Sequence, residues 1–263
     1  MKKIILNSDL LNDYKKHQRY SLSKHFNKLR KTETDTYLFA FTRSSIFSTM
    51  IEGSSIDLDN YLFNKETNHQ SKEMDQVDDL IKAYEFAKTH AFNFENVLKA
   101  HTILSANSDI SERYKGKIRD KEVSIRNWMG VSIYQGCLVK NLKQELDIFF
   151  DEINKIKKRK DLTYNEKFFY ASMAHLAFIN IHPFADGNGR TSRLIEKWVL
   201  SGLIQDKNVW RIPSEVNYWI KREEYYKNLR KQGGSYDEIN YKKSIDFLLM
   251  LPASFSLSKR FYK

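Results

Sequence analysis

Residues 181–193 read Ile181-His182-Pro183-Phe184-Ala185-Asp186-Gly187-Asn188-Gly189-Arg190-Thr191-Ser192-Arg193. The 263-residue chain holds only 9 Gly and 3 Pro, and two of those glycines and one of those prolines fall in this run. Upstream, residues 168–179 are apolar on nearly every side, the pattern of a helix at the centre of a fold. Thr163-Tyr164-Asn165-Glu166 has the capping-box form that opens such a helix. Downstream, residues 194–203 take up an apolar period again. The run is therefore a sharp loop between two helices.

Helical spacing recurs outward from this loop. Val77, Leu80, Ile81 and Tyr84 share one helix face, as do Leu142, Leu146, Phe149, Phe150 and Ile153. Thr36 to Ile51 reads as a helix stopped by Gly53. Ser214 reads as the cap of a helix through Tyr225 and Leu229, and a last helix is expected from Asp237 to Leu251. One stretch alternates instead. Glu122 to Arg126 and Val131 to Tyr134, around Asn127-Trp128-Met129-Gly130, predict a β-hairpin with a four-residue loop. So few Gly and Pro argue against an all-β fold with many tight turns. The expected class is all-α, a helical bundle with one small hairpin.

Composition narrows the setting. Hydrophobic residues make up 41% and charged residues 29%, ordinary for a globular protein, and 14% aromatics argue against a disordered one. Cys137 is the single cysteine, so no internal disulfide can form, which fits a reducing cytoplasm. The opening Met1-Lys2-Lys3-Ile4-Ile5-Leu6-Asn7 has three apolar residues, where a signal peptide needs about 7–15. Residues 247–251 form the longest apolar run near the C-terminus, far short of the roughly 20 a membrane helix needs. A cytoplasmic protein with no membrane partner is expected. The formal charge of +11 favours anionic partners, yet residues 182–193 account for only +1 of it.

The loop carries chemistry. Gly187 and Gly189 let backbone N–H groups approach a ligand, and the helix start beside them favours an anion. Arg190 and Arg193 fall on one face of that start, the unfavourable end of the dipole for cations, by about 0.3–1 kcal/mol each at exposed sites. A bound polyphosphate would remove the conflict. Asp186 offers a hard oxygen to Mg²⁺, which typically takes one or two carboxylates and fills its other positions with phosphate and water. His182 is a candidate general base. The spacing is not that of a Walker A loop or a dinucleotide fingerprint.

These residues resemble the signature of the Fic domain family, His-x-Phe-x-Asp/Glu-Gly-Asn-Gly-Arg-x-x-Arg, with every defining position present from His182 to Arg193. Upstream, Gly116-Lys117-Ile118-Arg119 and Val123-Ser124-Ile125 resemble the approach to, and first strand of, the family's flap hairpin. Tyr225-Tyr226-x-x-Leu229 resembles a helix near its nucleotide base. The resemblance covers roughly residues 75–235. It implies transfer of AMP from ATP to a Ser, Thr or Tyr hydroxyl of a target protein, the chain itself included among the candidates. His182 would take the hydroxyl proton, and Asp186 would hold Mg²⁺. Gly187, Asn188 and Gly189 would form the anion hole, Arg190 and Arg193 would grip the β- and γ-phosphates, and Phe184 would anchor the loop. Val123, Ser124 and Ile125 would dock the target by strand addition. A Pro-rich stretch often follows the flap, and here Tyr134-Gln135-Gly136-Cys137 departs from that pattern. Family members often form dimers, which makes a homodimer an expectation.

A second motif lies upstream. Ser48-Thr49-Met50-Ile51-Glu52-Gly53 matches the family's inhibitory pattern, Ser/Thr-x-x-x-Glu-Gly/Asn. Ser48 and Glu52 share a helix face at i, i+4, and Glu52 ends that helix at the dipole's negative end, where a cation beside it would help. By the resemblance that cation is Arg193, and the pair would misplace ATP. The expected layout is residues 1–74 as a helical extension carrying the inhibitory helix (about 36–52), 75–235 as the core, and 236–263 as a C-terminal helical extension.

Other residues carry plainer expectations. His175 reads as a satisfied core histidine and Cys137 as an ordinary thiol. Lys157-Lys158-Arg159-Lys160 reads as a solvated loop. Trp128 suits a partner contact or packing on the domain, and Tyr225 and Tyr226 suit adenine stacking or a helix-face core role. Alternatives on the same site are removal of AMP from a modified protein, or transfer of UMP, phosphate or phosphocholine. A basic nucleic-acid-binding regulator ranks low, because no helix-turn-helix or winged-helix segment stands out.

Overall fold

The computed structural model describes residues 4–31, 36–126 and 128–257. Six helices precede the hairpin: α1 Ser8–His17, α2 Leu22–Arg30, α3 Tyr37–Ile51, α4 Leu58–Glu66, α5 Lys72–Thr89 and α6 Phe94–Leu104. The hairpin is β1 Ser124–Arg126 with β2 Ser132–Gln135. Five helices follow, α7 Val139–Lys157, α8 Tyr164–Ile181, α9 Asn188–Ile204, α10 Ser214–Ile220 and α11 Arg222–Arg230, then the one-turn α12 Ile245–Leu248 and α13 Met250–Ala253. The fold is a helical bundle with one two-stranded sheet among the described residues.

α8 is the axis. Thr163 and Glu166 form the capping box expected of them, and the helix is buried over most of its length. It packs on α7, α9, α1 and α12. Thr36 caps α3, accepting from the Phe39 amide at 3.2 Å. α3 ends as the sequence predicts, with Glu52 as C-cap and Gly53 at φ 106°. One hydrophobic cluster reaches from Ile4 to Met250. The N–H groups of Ile4, Ile5 and Leu6 donate to the buried Glu152 carboxylate of α7. Of the basic run expected as a loop, Lys157 ends α7 and residues 158–160 form an exposed loop, with Arg159 paired to Asp161.

Two expected helices differ. Ser214 does not cap, and the single helix expected through Leu229 is broken at Lys221 (ψ 37°) into α10 and α11. Seven residues of helix would rise about 10 Å. The break instead brings the rings of Tyr218 and Tyr225 to 5.1 Å, both beside His175. The helix expected from Asp237 to Leu251 is replaced by 3₁₀ turns at Tyr236–Glu238 and Tyr241–Lys243 ahead of α12 and α13. Asn240 accepts from the Lys242 amide and Ser244 donates to the Tyr241 carbonyl, local bonds that compete with a helical ladder.

The hairpin forms antiparallel, with Ser124 opposite Gln135, Ile125 opposite Tyr134, and a register shift before Arg126 pairs with Ser132. Asn127 of its loop lies outside the described residues, and Gly130 takes φ 77°. The departure at 134–137 has a use: the Gln135 amide donates to Gly234, so residues 234–235 cover the far edge of β2. No helix among the described residues is long and apolar enough to cross a membrane.

Candidate active site

The turn between α8 and α9 is built mostly from its own bonds. His182 ends α8 in the left-handed conformation (φ 55°, ψ 57°), uncommon for a side chain this bulky and sustained only by its surroundings. Its Nδ1 lies 3.1 Å from the Ile179 carbonyl and donates to it, so Nε2 keeps its lone pair. Burial pushes the imidazole down to about 4, and the nearby Arg119 guanidinium acts in the same direction against the Ile179 bond and the Glu52 and Asp186 carboxylates. The ring is therefore neutral at pH 7. Asn188 clasps Phe184 on both sides, accepting from its amide and donating to its carbonyl at 2.9 Å each. Gly187 (φ 76°) turns the chain into α9, and its amide donates to Asp186 Oδ1 at 2.6 Å.

His101 of α6 supports this turn and carried no sequence signal, since a lone histidine on a helix has no motif. Its ring stacks on the fully buried Phe184, centroids 3.7 Å apart. Nδ1 accepts from the Gly116 amide at 2.9 Å, so Nε2 carries the proton and donates to the Asp186 carbonyl at 3.0 Å. Burial lowers this imidazole as well, to about 4.

The first ladder bond of α9 runs from Thr191 to the Gly187 carbonyl, so the amides of Asn188, Gly189 and Arg190 precede it, a geometry suited to an anion. Arg190 is buried, 4.0 Å from Asp186, and its Nε has no hydrogen-bond partner among the described residues. Arg193 is 1% exposed and faces α3. Its Nε donates to Ser48 Oγ (2.8 Å), and its Nη2 donates to the Ser48 carbonyl (2.9 Å) and Glu52 Oε1 (2.6 Å). Burial opposes the charge, but Glu52 with Tyr225 and Tyr226 outweighs it and holds the guanidinium above its ordinary pKa. The pairing of Ser48 and Glu52 with Arg193 is thus present. One turn on, Lys197 donates to Ser44 and pairs with Glu215 at 2.6 Å, both ions fully buried.

Behind Arg193 a hydrogen-bond chain enters the core. Arg193 Nη1 lies 3.5 Å from the Tyr225 hydroxyl, which donates to His175 Nε2 at 3.0 Å. His175 Nδ1 donates to Glu196 at 3.0 Å, and Tyr218 donates to the same carboxylate. His175 is the satisfied core histidine expected. Tyr225 is 1% exposed, with its hydroxyl committed to this chain. Tyr226 is partly exposed and donates to the Ile51 carbonyl at the end of α3.

His182, Asp186, Asn188, Gly189, Arg193, Tyr225, Tyr226, Glu52 and the flap's Ile125 line one cavity of about 300 Å³. Phe184, Gly187, Arg190, Ser48, Val123 and Ser124 do not line it. A Cβ on Gly189 would come within 2.2 Å of Glu52 Oε1, so the carboxylate occupies the space over the helix start. Cys137 is buried and pushed up to about 12, an inert thiol. Trp128 is 92% exposed at the flap tip.

Residues 93–200 match the family model described as Fic/DOC family. A protein adenylyltransferase Fic from Aedes aegypti is 28% identical over 169 residues, 64% of this chain and 30% of that relative. A protein of the same name from Culex quinquefasciatus is 61% identical over 31 residues, 12% of this chain and 6% of its own length. These matches span less than a third of either relative. A crystal structure of a Fic family protein from Desulfovibrio desulfuricans superposes with a TM-score of 0.71 at 17% identity, covering 97% of this chain and 76% of that one. Residues 93–200, which hold the signature loop, thus resemble the Fic/DOC family, and the helical bundle is shared with a solved Fic family structure.

Proposed function

We propose that this protein is an adenylyltransferase that moves AMP from ATP to a Ser, Thr or Tyr hydroxyl of a target protein, and that α3 restrains it. The observation that carries the reading is the convergence, in one cavity, of a neutral His182 whose Nε2 keeps its lone pair, the first turn of α9, and Arg193 occupied by Glu52. His182 Nε2 would take the hydroxyl proton as that oxygen attacks the α-phosphorus, and pyrophosphate would leave as the P–O bond breaks. The α9 amides would hold the phosphate oxygens, and Arg190 and Arg193 would hold the outer phosphates. Arg190's unpartnered Nε fits that use. For Mg²⁺ the donor is a single carboxylate, Asp186, 69% exposed and loosely paired. One carboxylate suits an ion that takes its other ligands from phosphate and water, although no group of three His, Cys, Asp or Glu gathers among the described residues. Bound there, Mg²⁺ would neutralise phosphate charge. Tyr226, Leu229 and Ile125 offer an apolar wall to the base.

The test is mass spectrometry of the Glu52→Gly protein incubated with ATP, Mg²⁺ and cell lysate. Protein carrying an added AMP mass, absent with His182→Ala in the same background, is expected. A different added mass, or loss of AMP from modified protein only, would replace this reading with another transfer or with AMP removal.

A further inference from the structure

Arg119 stands outside the cavity, on the segment between α6 and β1, with a side chain 1% exposed. Its nearest carboxylate, Glu122, is 3.6 Å away and half exposed. A guanidinium taken out of water with so loose an ion pair needs hydrogen bonds to offset the desolvation. Those bonds all go to backbone carbonyls. Nε donates to His182 (2.8 Å), Nη1 to Lys121 (2.8 Å) and Nη2 to Cys137, and the Arg119 amide donates to Pro183 (2.9 Å). Lys121 leads into β1 and Cys137 follows β2. One planar fork therefore ties both stems of the hairpin to the turn that holds the catalytic imidazole.

Two neighbouring facts show how tight this junction is. A Cβ on Gly136 would lie 3.1 Å from Arg119 Nη2 and 3.1 Å from His182 Cβ, so the flap exit packs directly on His182. The Gly136 and Cys137 amides donate to Val123 and Ile181, closing the hairpin stem on itself and on the end of α8. Lysine could keep the charge of Arg119 but could not span three carbonyls from one rigid plane.

We infer that Arg119 is a positioning residue that locks the hairpin to the His182 turn, so that a segment docked on the hairpin arrives in fixed register with His182 Nε2. The meaning of that register rests on the proposed AMP transfer, whereas the lock itself can be read without any chemistry.

The test compares Arg119→Met and Arg119→Lys with the parent protein by amide hydrogen exchange. In the Glu52→Gly background it adds ATP affinity and total AMP incorporated into lysate protein. Exchange at Gly136 and Cys137 should quicken about tenfold in both variants, while amides in the middle of α8 stay within twofold. ATP affinity should stay within twofold, and AMP incorporation should fall at least tenfold. Unchanged exchange at Gly136 and Cys137 would overturn the lock. So would an equal loss of protection along α8, or an equal loss of ATP affinity and transfer, since either marks a general structural role. If the parent neither binds ATP nor transfers AMP, the functional reading falls and the exchange data still judge the lock.

Discussion

The His182 turn and the helix that faces it are held by different kinds of bond. Within the turn the key contacts span four residues or fewer: His182 to Ile179, Asn188 to Phe184, and Gly187 to Asp186. α3 reaches the same cavity through contacts 141 to 175 residues apart in sequence, from Arg193 to Ser48 and Glu52, Lys197 to Ser44, and Tyr226 to Ile51. Short-range bonds close small loops at little entropic cost and form with the helices they join. The long-range set depends on α3 being docked. The His182 turn is thus built from contacts that do not involve α3, whereas Arg193 is held by it. The burial is also lopsided. Arg193 is 1% exposed while the Glu52 side chain is 41% exposed, so the carboxylate touches water and the guanidinium does not.

Breaking the turn should have the larger effect. His182→Ala should lower AMP transfer at least about 10²-fold, the usual contribution of a positioned base, with ATP affinity unchanged in calorimetry. Breaking the α3 contact should act in the opposite direction. Glu52→Gly should raise incorporation of labelled AMP about tenfold or more, since each tenfold needs only about 1.4 kcal/mol. Equal rates for the two proteins would remove α3 from the account.

Acid should sharpen the comparison. His182 and His101 are both pushed down to about 4 by burial, so the unfolded chain, with ordinary histidines, binds more protons than the native one between about pH 6.5 and 4. Their contribution is fully present above pH 6.5 and is lost as pH falls toward 4. Urea midpoints should drop over that window. His101→Gln, an uncharged ring replacement, should flatten the drop. The smallest effect is expected behind Arg193. Tyr225→Phe in the Glu52→Gly background should weaken ATP binding severalfold and ADP binding hardly at all, because the 3.5 Å contact steadies Arg193, the arginine we propose for the γ-phosphate. Equal weakening for both nucleotides would point to general loosening of the core.

Much of the site was legible before folding because it is local. Gly187, Asn188 and Gly189 at a helix start, with arginines three apart, define a geometry from spacing alone. Spacing put Ser48 and Glu52 on one helix face ahead of a stop glycine, while their inhibitory reading came from the family resemblance. The capping box at Thr163 and the hairpin were read from short patterns too. One misread helix failed where distant packing outweighed propensity, and the other where local side-chain bonds did. The break at Lys221 serves the gathering of Tyr218 and Tyr225 on His175, and the turns at 236–243 serve side chains that bond their own backbone.

The sequence by itself determined the loop, its polarity and the helices on either side, because these depend on residues within a few turns of one another. Only the tertiary structure decided which partner each buried ion would have. Lys197 meeting Glu215, His101 under Phe184 and Arg119 spanning the flap stems all join residues far apart in the chain, and so does Glu52 meeting Arg193, which the family resemblance rather than spacing had named. A buried charge must find a partner somewhere, but spacing along a chain does not say where, since that choice is made by the packing of helices that brings the partners within 3 or 4 Å.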